Sequence, residues 1–269
     1  MATDSTVHPE RSRKGRPRVS VVLPTRDRPA LLAGCLSALA LQSLPASEVE
    51  VIVVDDSDAH SAKMVVAHAA RSARIIRYLP GFGRGPAAAR NVGWRAARAP
   101  IVAFTDDDCV PTPRWLASGL APFEDGVTGV SGSVSVTRPS EPTDYERDAA
   151  RLSDAPFVTA SCFYRRDALE EIGGFDERFE MAYREDSDVW LTLLERGQRL
   201  VLAPAAEVCH PIRPAPWGVS LRQQQRSLYN ALLYKKHPAL YRAQIEHGPP
   251  LRYYVTVAAA LVGCWLLAR

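Results

Sequence analysis

The sequence predicts an α/β protein: a Rossmann-like, mostly parallel sheet flanked by helices, followed by a helical and apolar C-terminal tail. Three observations predict it. Short apolar, β-branched runs alternate with segments of helical period between residues 19 and 105, the pattern of strands joined by crossover helices. Several of those runs stop in carboxylates, as strands do when their carboxyl ends open into a ligand crevice. Finally, Tyr253 to Ala268 carries no charged residue.

Each element has its own signal. Val19–Leu23 is a β-branched run stopped by Pro24, a first buried strand. In the loop behind it, Asp27 suits a helix N-cap and Pro29 a first helical turn. Apolar residues at 32, 35, 36, 39 and 40 place a helix over 30–42. A second strand covers Val49–Val54 and runs into Asp55, Asp56 and Asp58. A helix over 61–72 and a third strand over 74–79 follow. The glycine-rich turn Gly81-Phe-Gly-Arg-Gly85 leads into an Ala-rich helix, Pro86–Arg98, and then a strand, Ile101–Thr105, that ends in Asp106-Asp107-Asp108.

Beyond residue 110 the pattern loosens. A helix is expected over 111–123, an exposed or curved strand over 127–136 and a loose helix over 139–154. A strand over 157–164 leads to a short helix ending at Ile172 and the turn Gly173-Gly174. Val189, Trp190, Leu193 and Leu194 give helical spacing to 185–196, which Gly197 stops. The strand 199–208 reaches Cys209-His210, and 220–236 reads as a helix with Leu221, Leu228 and Leu232 on one face.

With 269 residues, 46% hydrophobic and 23% charged, the composition is that of a globular chain with a sizeable core. Five scattered cysteines without a C-x-x-C pair indicate neither a disulfide framework nor a zinc site, and fit a reducing compartment. The net charge of +3 hides an asymmetry. Residues 1–18 carry five basic and two acidic groups, 19–212 carry 20 and 27, and 213–252 carry seven and one. The expected organisation is a disordered basic N-terminus (1–18), a catalytic domain (19–212), a basic, partly helical extension (213–252) and an apolar segment (253–269). A basic end can meet nucleic acid or an anionic membrane. The apolar segment that follows, with aromatic Tyr253, Tyr254 and Trp265, selects the membrane and excludes nucleic acid. Its sixteen uncharged residues fall short of the roughly twenty of a spanning helix, so surface attachment, spanning and burial in the core all stay open. Residues 1–18 hold no apolar signal-peptide core. The expected location is therefore the cytoplasmic face of the plasma membrane.

Carboxylates gather at element ends: Asp27, Asp55 and Asp56, Asp106 to Asp108, and Glu185-Asp186-x-Asp188. Three of these groups follow strands expected side by side, so one cleft should collect them. Adjacent aspartates repel one another unless a cation or hydrogen-bond donors offset the charge. At i and i+2, Asp106 and Asp108 leave a strand end on one side and can converge on a hard divalent ion. His210, at the end of another strand, is a candidate ligand to the same ion. The glycine turn is not a dinucleotide fingerprint: it follows the third strand and its third glycine falls too early. Its amides suit an anion, helped by Arg84 and Arg90.

Together these stretches resemble family-2 glycosyltransferases of the A-type nucleotide-sugar-transferase fold. Val19–Asp27 is similar to that family's first strand and base-binding loop, and Glu50–Ser57 to its second strand with paired Asp. Gly85–Gly93 resembles its helix entry, and Phe104–Cys109 its D-x-D motif. Gly173-Gly-Phe-Asp-Glu177 followed by Glu185-Asp-Ser-Asp188 resembles its acceptor-side turn and E-D motif. Cys109 stands where many members carry another acid.

The resemblance implies roles. Pro24, Thr25, Asp27, Asp56, Arg90, Asp106 and Asp107 would bind the nucleotide sugar. Asp108, with His210, would hold Mg²⁺ or Mn²⁺. Asp186 would be the catalytic base, with Glu185 the alternative. The implied activity is inverting, metal-dependent transfer of a hexose or related sugar from a nucleotide-diphosphate donor, UDP before GDP or dTDP. The acceptor would be the hydroxyl of a cell-envelope glycan or a lipid-linked molecule. A nucleotidyltransferase shares the sheet and the acidic metal site but releases pyrophosphate. A catalytically silent, membrane-associated binding module is the other alternative.

Overall fold

A computed structural model describes residues 16–71, 75–123, 126–248 and 251–268. Residues 1–15, most of the N-terminus expected to be disordered, lie outside the described residues, as do the ends of the expected helix at 72 and strand at 74. Eight strands form one sheet: β1 (Val19–Thr25), β2 (Val49–Asp55), β3 (Ile75–Pro80), β4 (Ile101–Phe104), β5 (Val110–Pro111), β6 (Val127–Ser135), β7 (Cys162–Arg165) and β8 (Arg199–Cys209). Their order is β3-β2-β1-β4-β7-β6-β8-β5. The first four strands are parallel to one another, with α1 (Pro29–Ala40), α2 (Lys63–Ala69) and α3 (Pro86–Ala96) in the crossovers. β1 and β2 are buried at every position, as strands covered on both faces should be.

The second half mixes directions. β7 runs antiparallel to β4 and β6, while β8 is parallel to β6. Around them lie α4 (Trp115–Leu120), α5 (Asp144–Ala150), α6 (Arg166–Ile172), α7 (Glu185–Glu195), α8 (Val219–Gln223), α9 (Ser227–Lys236), α10 (Pro238–Gln244) and α11 (Leu251–Leu267). Two apolar cores result. One, around Leu23, Leu36, Trp115 and Phe163, fills the α1 face. The other, around Ile52, Phe104, Phe179 and Leu191, fills the α3 and α7 face.

Several expectations change. Asp27 is not the N-cap of α1: Arg28 holds that position without a side-chain cap, and Asp27 is exposed at φ +54°. β6, expected as an exposed or curved strand, is not exposed: it lies inside the sheet between β7 and β8 and is largely buried. Its small residues serve bulged register shifts against β8. The strand expected from Phe157 begins only at Cys162, because Phe157 turns the chain at φ +57°. The helix expected over 220–236 is α8, a 3₁₀ turn at Gln224–Arg226 and α9.

Candidate active site

The carboxyl ends of β2, β1 and β4, adjacent in the sheet, bring Asp55–Asp56, Thr25 and Asp106–Asp108 to one edge. A cleft of about 580 Å³ opens there. Its walls include Pro24, Thr25, Asp56, Arg90, Asp106, Asp108, Glu185, Asp186 and His210. Of the residues expected to bind nucleotide sugar, Asp27 and Asp107 stand apart from this lining.

Asp107 turns inward. Fully buried, it accepts a 2.6 Å hydrogen bond from Thr25 Oγ1 and lies 3.0 Å from the Arg28 guanidinium. Burial pushes its carboxyl up to about 6, against the opposing pull of Arg28 and Thr25. Its side chain thus ties the β1 loop to the β4 loop and holds Thr25 in place.

Asp56 shows what the glycine turn binds. Gly83 N and Gly85 N donate to its two carboxylate oxygens at 2.8 and 2.9 Å. The anion facing those amides is therefore the protein's own carboxylate, and neither expected arginine attends it. Arg84 instead pairs with Glu177. Gly85 is required here: at φ +91°, a Cβ would come 2.1 Å from Glu180 O. Asp55 caps the next turn, accepting from Ser57 Oγ and Ala62 N.

Arg90, on α3, joins the two acidic motifs. Buried, it donates to Asp106 Oδ1 and Glu185 Oε1, each at 2.8 Å. Burial opposes its charge, but Asp106 and Glu185 outweigh that and hold it firmly protonated. Next to it, Asn91 clasps the Gly173–Glu177 turn, donating to Phe175 O and accepting from Phe175 N. At Gly174, φ +82°, a Cβ would strike Asn91 and Trp94.

Glu185 and Asp186 open α7, where the helix dipole favours acids. Arg184 turns the chain into the helix at φ +75°, a conformation costly for a residue with a Cβ. Glu185 is buried against Arg90. Asp186 is half-buried on the cleft wall and accepts from the backbone amides of Ser187 and Thr159. Burial raises the pKa of both carboxyls, and Arg90 only partly offsets it.

The two-residue strand β5, which sequence reading missed, delivers His210. Val110 pairs with Cys209 across an antiparallel ladder, so His210 arrives beside the aspartate loop. His210 Nε2 lies 3.5 Å from Asp108 Oδ1, an oxygen that is buried and has no hydrogen-bond partner. Among the described residues, Asp106, Cys109 and His210 also bring donor atoms within 4.8 Å of one another. Burial, with Asp106 and Asp108 nearby, pushes the Cys109 thiol up, and sulfur is a softer donor than the carboxylates and imidazole beside it. Carboxylate and imidazole donors around an unsatisfied oxygen fit a hard divalent ion such as Mg²⁺ or Mn²⁺. Arg213 at 3.1 Å and Arg28 at 3.7 Å from Asp108 Oδ2 balance its charge.

Comparisons agree with this geometry. The family described as Glycosyl transferase family 2 matches residues 20–184. Glycosyltransferase AglE of Haloferax volcanii is 30% identical over 225 residues, covering 78% of this chain and 71% of AglE. The pre-mycofactocin glycosyltransferase of Mycobacterium tuberculosis is 32% identical over 214 residues, covering 72% of this chain. The matched part spans 43% of that relative's length. Among solved structures, mannosyltransferase PcManGT of Pyrobaculum calidifontis, in complex with GDP-Man and Mn²⁺, superposes with a TM-score of 0.68 at 22% identity. That match covers 93% of this chain and 76% of PcManGT. TarS of S. aureus in complex with UDP-GlcNAc gives a TM-score of 0.60 at 21% identity, covering 74% and 60%. These structural likenesses support the same A-type fold.

Proposed function

The chain belongs to glycosyl transferase family 2, and from that premise we propose how its cleft performs an inverting sugar transfer. A nucleotide-diphosphate sugar binds at the β1–β2–β4 edge, with its base and ribose toward Thr25, Asp56 and Asp106. Asp108 and His210 would hold a Mg²⁺ or Mn²⁺. Bound there, the ion supplies Lewis-acid stabilisation of the charge left on the diphosphate.

This chain's own residues do the rest. Arg90 fixes Asp106 and Glu185 in one rigid triad, so the donor-side and acceptor-side motifs keep their spacing. Asp186 takes the proton of the acceptor hydroxyl as its oxygen attacks the anomeric carbon. The bond from that carbon to the diphosphate oxygen breaks, and the new glycosidic bond forms with inverted configuration. The carrying observation is Asp186 itself, a half-buried carboxylate in the same cleft as Asp106 and Asp108, bonded by amides. Its raised pKa brings it nearer the pH at which a general base works best. Glu185 is spent on Arg90, which favours Asp186 for the role.

The ligands bound by the structural relatives, GDP-Man with Mn²⁺ and UDP-GlcNAc, support a nucleotide-sugar donor and a metal. A titration of the full chain with UDP-, GDP- and dTDP-sugars, with and without Mn²⁺, tests the reading. Metal-dependent binding of one donor, with slow hydrolysis to the nucleoside diphosphate, is expected. Release of pyrophosphate, or no binding to any donor by folded protein, overturns it.

A further inference from the structure

We propose that the segment following His210, together with α11, is a docking surface for an anionic lipid bilayer and sets the cleft mouth at the membrane. Trp217 is 99% exposed, and Leu221 and Leu228 are each more than 70% exposed. Leu221 and Leu228 are seven residues apart on the helical run 219–236, so they share its outer side. The other side of the run faces the protein: Gln223 and Arg226 line the cleft, Asn230 accepts from Arg184, and Leu233 is buried. One run therefore walls the cleft and also presents large apolar side chains to the surroundings.

A second apolar element follows on the same chain. Every described side chain of α11 is exposed apart from the position of Gly263, including Val255, Leu261 and Trp265. That removes the alternative of a core helix. Among the described residues no helix is long and apolar enough to cross a membrane, so the surface is proposed from exposure and charge. An apolar display on this scale marks an interaction site.

Charge selects the occupant. Residues 213–252 hold seven basic groups and Glu246 alone among acids, whereas 19–212 hold 20 basic and 27 acidic. Arg213 and Lys236 pair with acids of the body; other basic residues near an anionic leaflet are attracted to it, and the acidic body is repelled from it. Only the end carrying Trp217, Leu221 and Leu228 is suited to face the lipid. Basic residues flanking exposed Trp and Leu are the composition of an interfacial anchor. Resting on the transferase reading, the acceptor is then a lipid-carried hydroxyl entering past Gln223 and Arg226.

Vesicle flotation of the full chain tests the surface independently of turnover. Phosphatidylcholine vesicles with phosphatidylglycerol should carry the protein, and high salt should release much of it. Combining Trp217→Ala, Leu221→Ala and Leu228→Ala should cut flotation at least severalfold, with the melting temperature and donor hydrolysis unchanged. The same triple variant should lose transfer to a lipid-carried acceptor in vesicles. Wild-type protein that stays unbound overturns the proposal, as does equal flotation on neutral vesicles or an unaffected triple variant. A stable dimer that excludes vesicles assigns the surface to a second copy and overturns it too. Donor binding without flotation would sink the docking surface and leave the transferase reading standing.

Discussion

The cleft has two acidic ends, and their carboxylates are held in opposite ways. At the β4 end, Asp108 faces partners that can let go: Arg213 and Arg28 are about half and one-third exposed, and His210 is one-fifth exposed. At the α7 end, Glu185 is bound to the buried Arg90, and Asp186 takes its bonds from backbone amides. The first arrangement suits a site that exchanges side-chain cations for a metal ion. The second suits a site that keeps a proton acceptor in a fixed position. Under the proposed function, residues of one chemical type would thus divide into a metal end and a proton end according to what surrounds them.

The largest expected effect tests the proton end. Asp186→Asn should lower kcat by about 10²–10⁴-fold while donor affinity, read by calorimetry, stays within a small factor. Glu185→Gln should not reproduce that separation, since it disturbs Arg90 and both ends together. If Asp186→Asn keeps most of its rate, the two ends are not divided as argued.

Arg90 is the strut between the ends. Arg90→Met strands the Glu185 carboxylate in a buried position, at a cost of about 3–5 kcal/mol of unfolding free energy. Adding Glu185→Gln should return part of that loss, and a double-mutant cycle by urea denaturation measures the coupling. Additive losses would mean that the pair is not the strut.

The metal end gives smaller and opposite effects. Mn²⁺ binding followed by electron paramagnetic resonance should weaken in Asp108→Ala by at least the roughly 10–100-fold typical of outer-shell changes. Arg213→Ala should strengthen it by up to about fivefold, the worth of a half-exposed ion pair that the metal no longer has to displace. Weaker binding in Arg213→Ala would show that the arginine supports the ion.

The sequence revealed the parallel half of the fold and the long strands β6 and β8 well, but it missed β5 and started β7 too early, for a physical reason. β1, β2 and β4 are buried on both faces and therefore read as apolar, β-branched runs, interrupted at Ser20 and Glu50. Their ends fix Asp56, Asp106 and Asp108 with little ambiguity. β5 is two residues long, too short for any periodicity, and what defines it is its pairing with the distant β8. The placement of His210 depends on that pairing. That Asp27 and Asp107 lie outside the cleft lining was hidden for a related reason. A carboxylate in a motif looks the same in sequence whether it faces the cleft, the solvent or Thr25. The α7 acids were legible as a helix start, but the division of labour between Glu185 and Asp186 depends on Arg90, 95 positions from Glu185.

The last test uses the third acid of α7. Asp188 is buried and held by His237 Nε2 at 3.0 Å and by Lys236 Nζ at 2.7 Å, while His237 Nδ1 reaches Glu195. Burial alone would depress the imidazole pKa, but the bonds to Asp188 and Glu195 outweigh it, and the net shift is upward. The folded state therefore binds this proton more tightly than the unfolded chain. The stability it adds is fully present below the unfolded value of about 6.5 and is lost as pH rises through the higher folded value. His237→Gln should remove that part of the pH dependence, so the gap between wild type and variant in urea denaturation should shrink as pH rises above about 6.5. A gap that stays constant from acid to alkaline pH would mean His237 packs as a neutral ring. The anchoring of α7 would then fall to Lys236 and the apolar contacts of Val189 and Leu193, and the fixed end of the cleft would owe nothing to a proton outside it.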